Sequence, residues 1–364
     1  MRPGLSAESA REVRILISAC EASSDAHGAE FLRALRDLAP TGYRVRAFGV
    51  GGPRLQAAGL HTVVDARELL AMGFTEVLVR LPSILRGFKR LWEAVENEGP
   101  DHAVLLDYPD FHLRLARRLH QGGIPATYYI PPKTWVWRSG RIRDLGRLFQ
   151  QLLCILPFEE KFYLAHGVKA KYVGSPIVDE LPFEVSRREA RKRLGIVEDG
   201  QFVVLVMPGS RPAELSHHLD LVLGAALRLK TALAISGRLE EKGFRIVLPV
   251  ASTLDFEIVK SKVAVWKGAE PARRGTLEID VRSDPGDAHL GMRAADLGLI
   301  KSGTSTLEAA LLGLPHVVFY RTGRVATFVF KKLIRYRGPI ALANLAANGP
   351  APDAARMVPE FVAD

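Results

Sequence analysis

The chain has 364 residues, a formal net charge of +10 and only two cysteines, with 48% hydrophobic and 25% charged residues. This composition excludes a mainly disordered chain and a disulfide-stapled secreted scaffold, and the length suits about two domains of ordinary size. The basic excess implies an anionic partner such as a phosphate-bearing substrate, a membrane surface or nucleic acid, but no apolar run is long enough for a membrane span or a signal peptide, so a cytoplasmic protein is expected.

In chain order, VRILISAC (13–20) is a short β-branched run that predicts a strand. Turn-type residues EASSDAHG follow, then a helical pattern, AEFLRALRDLA. Cys20 and Cys154 both sit in apolar runs and are expected to be buried free thiols. VRAFGVGG (45–52) reads as strand and turn. Residues 69–92, LLAMGFTEVLVRLPSILRGFKRLW, interleave Leu78, Leu81, Ile84, Leu85 and Phe88 with Arg86, Lys89 and Arg90. A basic amphipathic segment of this kind suits an anionic membrane surface or a lipid, or else an ordinary helix packed on its own domain.

HAVLLDYPD (102–110) is a strand ending in two carboxylates, Asp107 and Asp110, followed by a basic helix. Either acid suits a general base acting on a hydroxyl, with Asp110 as the base and Asp107 in support; the alternative for Asp110 is a helix cap. TYYIPP (127–132) and QLLCILPFE (151–159) are further short strands, and KTWVWRSGRIRDLGR (133–147) sets arginines among two tryptophans. No RNA-binding module surrounds that stretch, so an anionic substrate or interdomain packing fits it better than nucleic acid.

The charged stretch 176–200 reads as a linker, with the boundary placed between residues 180 and 181. QFVVLVMPGSR (201–211), FRIVLPVA, LGLIKSG and HVVFYR are the strands of a second series. Strands alternating with helices in both halves predict an α/β protein with two Rossmann-like parallel sheets, binding ligands at the carboxyl ends of their strands. MPGSR offers Gly209, Ser210 and Arg211 ahead of a helix N-terminus, an anion-binding arrangement. KSGTSTLE repeats the idea with Ser302, Gly303 and Thr304, and Glu308 suits a ribose. Neither a GxxxxGK[ST] nor a GxGxxG motif occurs, and the histidines and acids lack metal-ligand spacing, so no metal is expected.

Taken in order, these loops resemble the lipid A disaccharide synthase family. CEASSD (20–25) resembles its GEASGD, VGGPRLQAAG (50–59) its GGP turn, and LLAMGFTEVLVRLP (69–82) its MGxxEVL segment. LLDYPDFH (105–112) resembles IDAPDFN, YYIPPKTWVWRSGRI (128–142) resembles YVSPSVWAWRxxR, MPGSRPAEL (207–215) resembles LPGSRxxEV, and KSGTSTLE (301–308) resembles ASGTATLE. The chain departs from the pattern at Cys20, Ser24, Pro131, Pro132, Lys133, Ser175, Ala343 and Ala363, and the resemblance leads one to expect, beyond residue 364, further helices of the kind that commonly cross back to the N-terminal domain in this fold.

The resemblance implies a GT-B fold, two Rossmann-like domains facing across a cleft. Residues 1–180 would be the acceptor and lipid side, and 181–364 the UDP-sugar side. It implies an inverting, cofactor-free and metal-free transfer from UDP-2,3-diacylglucosamine to 2,3-diacylglucosamine 1-phosphate, giving lipid A disaccharide 1-phosphate and UDP. It also implies substrate contacts at Glu21, Ser23, Asp25, Trp137 and Arg138, and a peripheral location on the inner face of the cytoplasmic membrane with 69–92 touching lipid. The rivals are a related glycosyltransferase, a sugar-nucleotide epimerase, or a family-like protein that binds lipid or nucleotide without catalysis.

Overall fold

The structure is a computed structural model, and it describes residues 11–69, 74–135, 140–196, 200–239, 243–321 and 336–363. The chain divides into two compact units, residues 1–174 and 175–364. In the first, strands β1 (Arg11–Ala19), β2 (Tyr43–Gly51), β3 (His61–Asp65), β4 (His102–Leu106), β5 (Ala126–Tyr129), β6 (Gln151–Cys154) and β7 (Ala170–Tyr172) form one sheet. Its order is β3-β2-β1-β4-β5-β6-β7, with every pair parallel.

The central strands are apolar on both faces because helices cover both. Leu16 and Leu105 belong to one core cluster, whereas Ile15, Ile17, Val104 and Leu106 belong to the other. This explains continuous apolar runs in place of the alternation of a half-exposed strand. Both cysteines are buried free thiols in these cores.

The second unit repeats the plan with β8 (Gln201–Met207), β9 (Gly243–Pro249), β10 (Glu278–Arg282), β11 (Leu297–Lys301), β12 (His316–Arg321) and β13 (Glu360–Ala363). The order is β10-β9-β8-β11-β12-β13, again all parallel. In each sheet the order reverses beside the first strand, between β1 and β4 and between β8 and β11. Crevices for ligands open at such switch points, beyond the carboxyl ends of the strands.

The basic amphipathic segment lies mostly in one helix, Phe74–Glu98, with Pro82 inside it. Ile84 and Phe88 turn inward against the core of the first unit, and Arg118 lies over the Phe88 ring. These two expected lipid contacts are partly buried against that core, as the apolar stripe by which the helix docks requires. Leu81 and Leu85 remain exposed, with Arg86, Lys89 and Arg90 on the same solvent side. Arg90 is paired with Glu68 at 2.5 Å. The side chain of Leu78 lies outside the described residues.

Candidate active site

At the switch point of the first sheet, β1 runs into Cys20 and Glu21, and β4 runs into Asp107 and Tyr108. Glu21 takes the N-cap position of the helix Ala22–Asp37, and its N–H donates to Ser24 Oγ at 3.0 Å. The family has glycine where this chain has Ser24, and the hydroxyl fits by capping the turn. Ser23 is exposed beside it.

Asp25 is tied to backbone far along the chain. Its buried carboxylate accepts hydrogen bonds from the N–H groups of Gly52, Arg54 and Leu55 at 2.7, 3.0 and 3.1 Å. It thus caps the short helix Pro53–Ala57 from outside. A Cβ on Gly52 would come within 2.7 Å of Asp25 Oδ2, so glycine is needed at that close approach. The resemblance implied a substrate contact for Asp25; in the structure both of its carboxylate oxygens accept from the N–H groups that open that helix, which is a structural role. Trp137 and Arg138 lie outside the described residues.

The two carboxylates after β4 separate in character. Asp110 is in the first turn of the helix Pro109–Gln121, with 74% of its side chain exposed, and it forms an ion pair with Arg141. Asp107 is half-buried at the strand end itself. Burial raises its carboxyl above the ordinary aspartate value, while the Tyr108 N–H, Lys133 and His27 pull in the opposite direction. Asp107 and Tyr108 have φ of 52° and 45°. Left-handed backbone at non-glycine residues costs on the order of 1–3 kcal/mol each and concentrates at functional sites. A carboxyl with a raised pKa, flanked by Lys133 and His27 in a strained strand-end turn, suits a proton acceptor better than an exposed ion-paired one does.

The second unit holds a cavity of about 410 Å³ at the carboxyl ends of β8, β9, β10 and β11. Gly209, Ser210, Glu214, Lys301, Gly303, Thr304 and Ser305 line one side, and Ser252, Ser283 and Asp284 contribute from the loops after β9 and β10. Two helix N-termini, those of Pro212–Ile235 and Thr304–Leu311, begin beside it. Gly209 has φ of 131°, and a Cβ there would come within 2.7 Å of the Cβ of Glu214. Only glycine lets the loop turn this tightly over the helix.

Glu214 accepts the Ser210 N–H at 3.0 Å through one oxygen and pairs with Lys301 Nζ at 2.8 Å through the other. Burial pushes the Glu214 carboxyl up, but Lys301, the Ser210 N–H and Arg211 outweigh it and hold the carboxyl below its ordinary value. Lys301 stands where the family motif has alanine, so neither the motif nor the glycines and hydroxyls of the loop point to it. Its position as the last residue of β11 was the available signal.

The other expected nucleotide residues divide. Gly209, Ser210, Gly303 and Thr304 line the cavity. Arg211 is exposed at the N-cap of its helix and is not among the lining residues. Ser302 Oγ donates to the Ile340 carbonyl at 2.8 Å and so ties down the chain ahead of Ala341. Glu308 Oε2 lies 3.3 Å from His289 Nε2.

The family described as lipid-A-disaccharide synthetase matches residues 15–363. The lipid-A-disaccharide synthase of Myxococcus xanthus is 40% identical over 96% of this chain and 83% of its own length. That of Pseudomonas paraeruginosa is 37% identical over 98% of this chain and 86% of its own. Among solved structures, the UDP-GlcNAc 2-epimerase of Neisseria meningitidis bound to UDP-GlcNAc superposes with a TM-score of 0.52 at 13% identity, covering 84% of this chain and 82% of that one. The last likeness is one of fold, the GT-B pair of Rossmann-like domains. With nearly every described residue inside the family match, the chain belongs to the lipid-A-disaccharide synthase family and is a glycosyltransferase.

Proposed function

We propose that the chain joins UDP-2,3-diacylglucosamine to 2,3-diacylglucosamine 1-phosphate, with inversion, releasing lipid A disaccharide 1-phosphate and UDP. Asp107 takes the proton from the acceptor hydroxyl as that oxygen attacks the anomeric carbon. The bond from that carbon to UDP breaks on the opposite face. The departing diphosphate gains negative charge, and Lys301 with the N-termini of Pro212–Ile235 and Thr304–Leu311 stabilises it. The observation that carries the reading is the Asp107 carboxyl, half-buried at a switch point beside Lys133 and His27.

The direct test is incubation with both acylated substrates, reading disaccharide and UDP by mass spectrometry across pH. A base works deprotonated, so turnover is lost as pH falls through its pKa. Burial raises that pKa, and the acid limb should therefore lie above the value of about 4 of an ordinary aspartate. Absence of disaccharide at every pH rejects the reaction. Disaccharide with an acid limb at or below that value rejects Asp107.

Nucleotide binding yields a second expectation. Lys301→Met removes a cation from the cavity and leaves the Glu214 carboxylate uncompensated beside an incoming diphosphate. A charge-assisted contact contributes about 1.5–3 kcal/mol, so UDP affinity should fall at least about tenfold. Arg211→Ala, which removes a charge at the helix N-terminus, should weaken UDP by a smaller factor. Calorimetry giving unchanged affinity for Lys301→Met would remove Lys301 from the site.

The acyl chains need a lipid surface, and the exposed face with Leu81, Leu85, Arg86 and Lys89 suits one. No helix among the described residues is long and apolar enough to cross a membrane. Each basic group near an anionic surface contributes about 1 kcal/mol. Replacing Arg86, Lys89 and Arg90 with Ser should cut sedimentation with anionic vesicles by more than about tenfold. Equal sedimentation of both proteins would show that this face meets water alone.

A further inference from the structure

The backbone of Asp107 is held at both ends by groups outside its own turn. Its N–H donates to the Tyr129 carbonyl at 3.1 Å. Its carbonyl oxygen accepts two side-chain hydrogen bonds, from the Tyr128 hydroxyl at 2.6 Å and from His112 Nδ1 at 2.6 Å. Both donors are fully buried. A carbonyl only accepts, so His112 carries its proton on Nδ1. Nε2 is then left to accept from the Ser18 hydroxyl, 2.8 Å away on β1. Burial pushes the His112 pKa down to about 4, which keeps the ring neutral and the tautomer fixed at neutral pH.

We propose that Tyr128 and His112 are positioning residues for the transfer reaction: they clamp the carbonyl of Asp107 and thereby aim its carboxylate at the acceptor hydroxyl. The inference rests on the reading of Asp107 as the base. Left-handed backbone at a non-glycine residue persists only where its surroundings over-determine it. Here the groups that do so come from β1, from β5 and from the helix Pro109–Gln121. The turn's rotation sets where the carboxylate points. Losing one donor lets the turn relax toward ordinary geometry, and a carboxylate displaced by about 1 Å loses on the order of a hundredfold in rate.

The packing separates this role from a merely structural one. The Tyr128 ring packs edge-on against Phe149 at 4.9 Å, a contact that phenylalanine keeps. Tyr128→Phe therefore removes the hydroxyl and little else. It should lower kcat by about tenfold to a hundredfold, with KM for the UDP-sugar and the melting midpoint little changed and the acid limb of the pH profile displaced. His112→Leu should lower kcat similarly. His112→Asn, whose amide reaches the place of Nδ1, should restore most of it.

Normal kcat in Tyr128→Phe overturns the proposal, whether or not His112→Leu folds. So does a His112→Asn variant that folds and is as slow as His112→Leu. If Asp107→Asn keeps its turnover, the base reading fails and takes the clamp with it. If Asp107→Asn is inactive while Tyr128→Phe is normal, the clamp alone fails.

Discussion

Asp107→Asn is expected to lose at least about a hundredfold in kcat, because a positioned general base contributes about 10²–10⁴-fold. A sugar hydroxyl is a poor nucleophile at neutral pH, and the proton must leave as the new bond forms. Asparagine keeps the size and hydrogen-bonding capacity of the side chain but takes up no proton, so folding and UDP affinity should stay near those of the parent. Asp110→Asn makes the matched comparison. It breaks the ion pair with Arg141, in which Asp110 is largely exposed. Such pairs contribute about 0.2–1 kcal/mol of stability, so its turnover should change only a few-fold. Single-turnover rates with both acylated substrates, read beside melting curves, decide between the two acids. A hundredfold loss in Asp110→Asn with a normal Asp107→Asn would return the base to Asp110, the assignment the sequence favoured.

Asp25→Ala should instead damage the fold. Three N–H groups of residues 52–55 lose their acceptor, two of those hydrogen bonds being in buried surroundings. Hydrogen bonds to a charged group contribute about 1.5–3 kcal/mol each, and with partial rescue by water a total loss of roughly 3 kcal/mol or more is expected. For a unit of this size that lowers the melting midpoint by roughly 6–12 °C. UDP binding, which the proposed function assigns to the other unit, should survive wherever the variant is folded. If Asp25→Ala keeps its melting midpoint but loses turnover, Asp25 touches substrate after all.

These two expectations also mark what was legible in the chain. The central strands of both sheets follow from VRILISAC, HAVLLDYPD, QFVVLVM and LGLIKSG, because a strand covered on both faces must be apolar throughout and announces itself as a run. The loops ending those strands followed from the same reading, and with them Asp107, Gly209, Ser210, Gly303 and Thr304. The four strands that were missed, β3, β7, β10 and β13, are the four sheet edges. HTVVD, AKY, EIDVR and EFVA are short, partly charged and half-exposed, so they carry no apolar run to detect. The same lack of an apolar run at β10 hid Ser283 and Asp284 as lining residues of the second unit's cavity.

Motif reading groups residues by nearness along the chain, whereas side-chain roles depend on partners far along it. Asp25 shares a motif with Glu21 and Ser23, yet its partners lie 27 to 30 residues on, at Gly52, Arg54 and Leu55. Lys301 reaches Glu214 from 87 residues away, and His112 meets Ser18 across 94. Asp107 and Asp110 are only three residues apart, and the sequence reading favoured Asp110 as the base with Asp107 in support. A strand end and a helix turn gave one of them burial and strain and the other solvent and Arg141. The sequence determined the central strands of the two sheets and the loops that end them, since burial on both faces is written locally as apolar runs. Which carboxylate is free to act is decided by the three-dimensional partners that bury, pair or cap it.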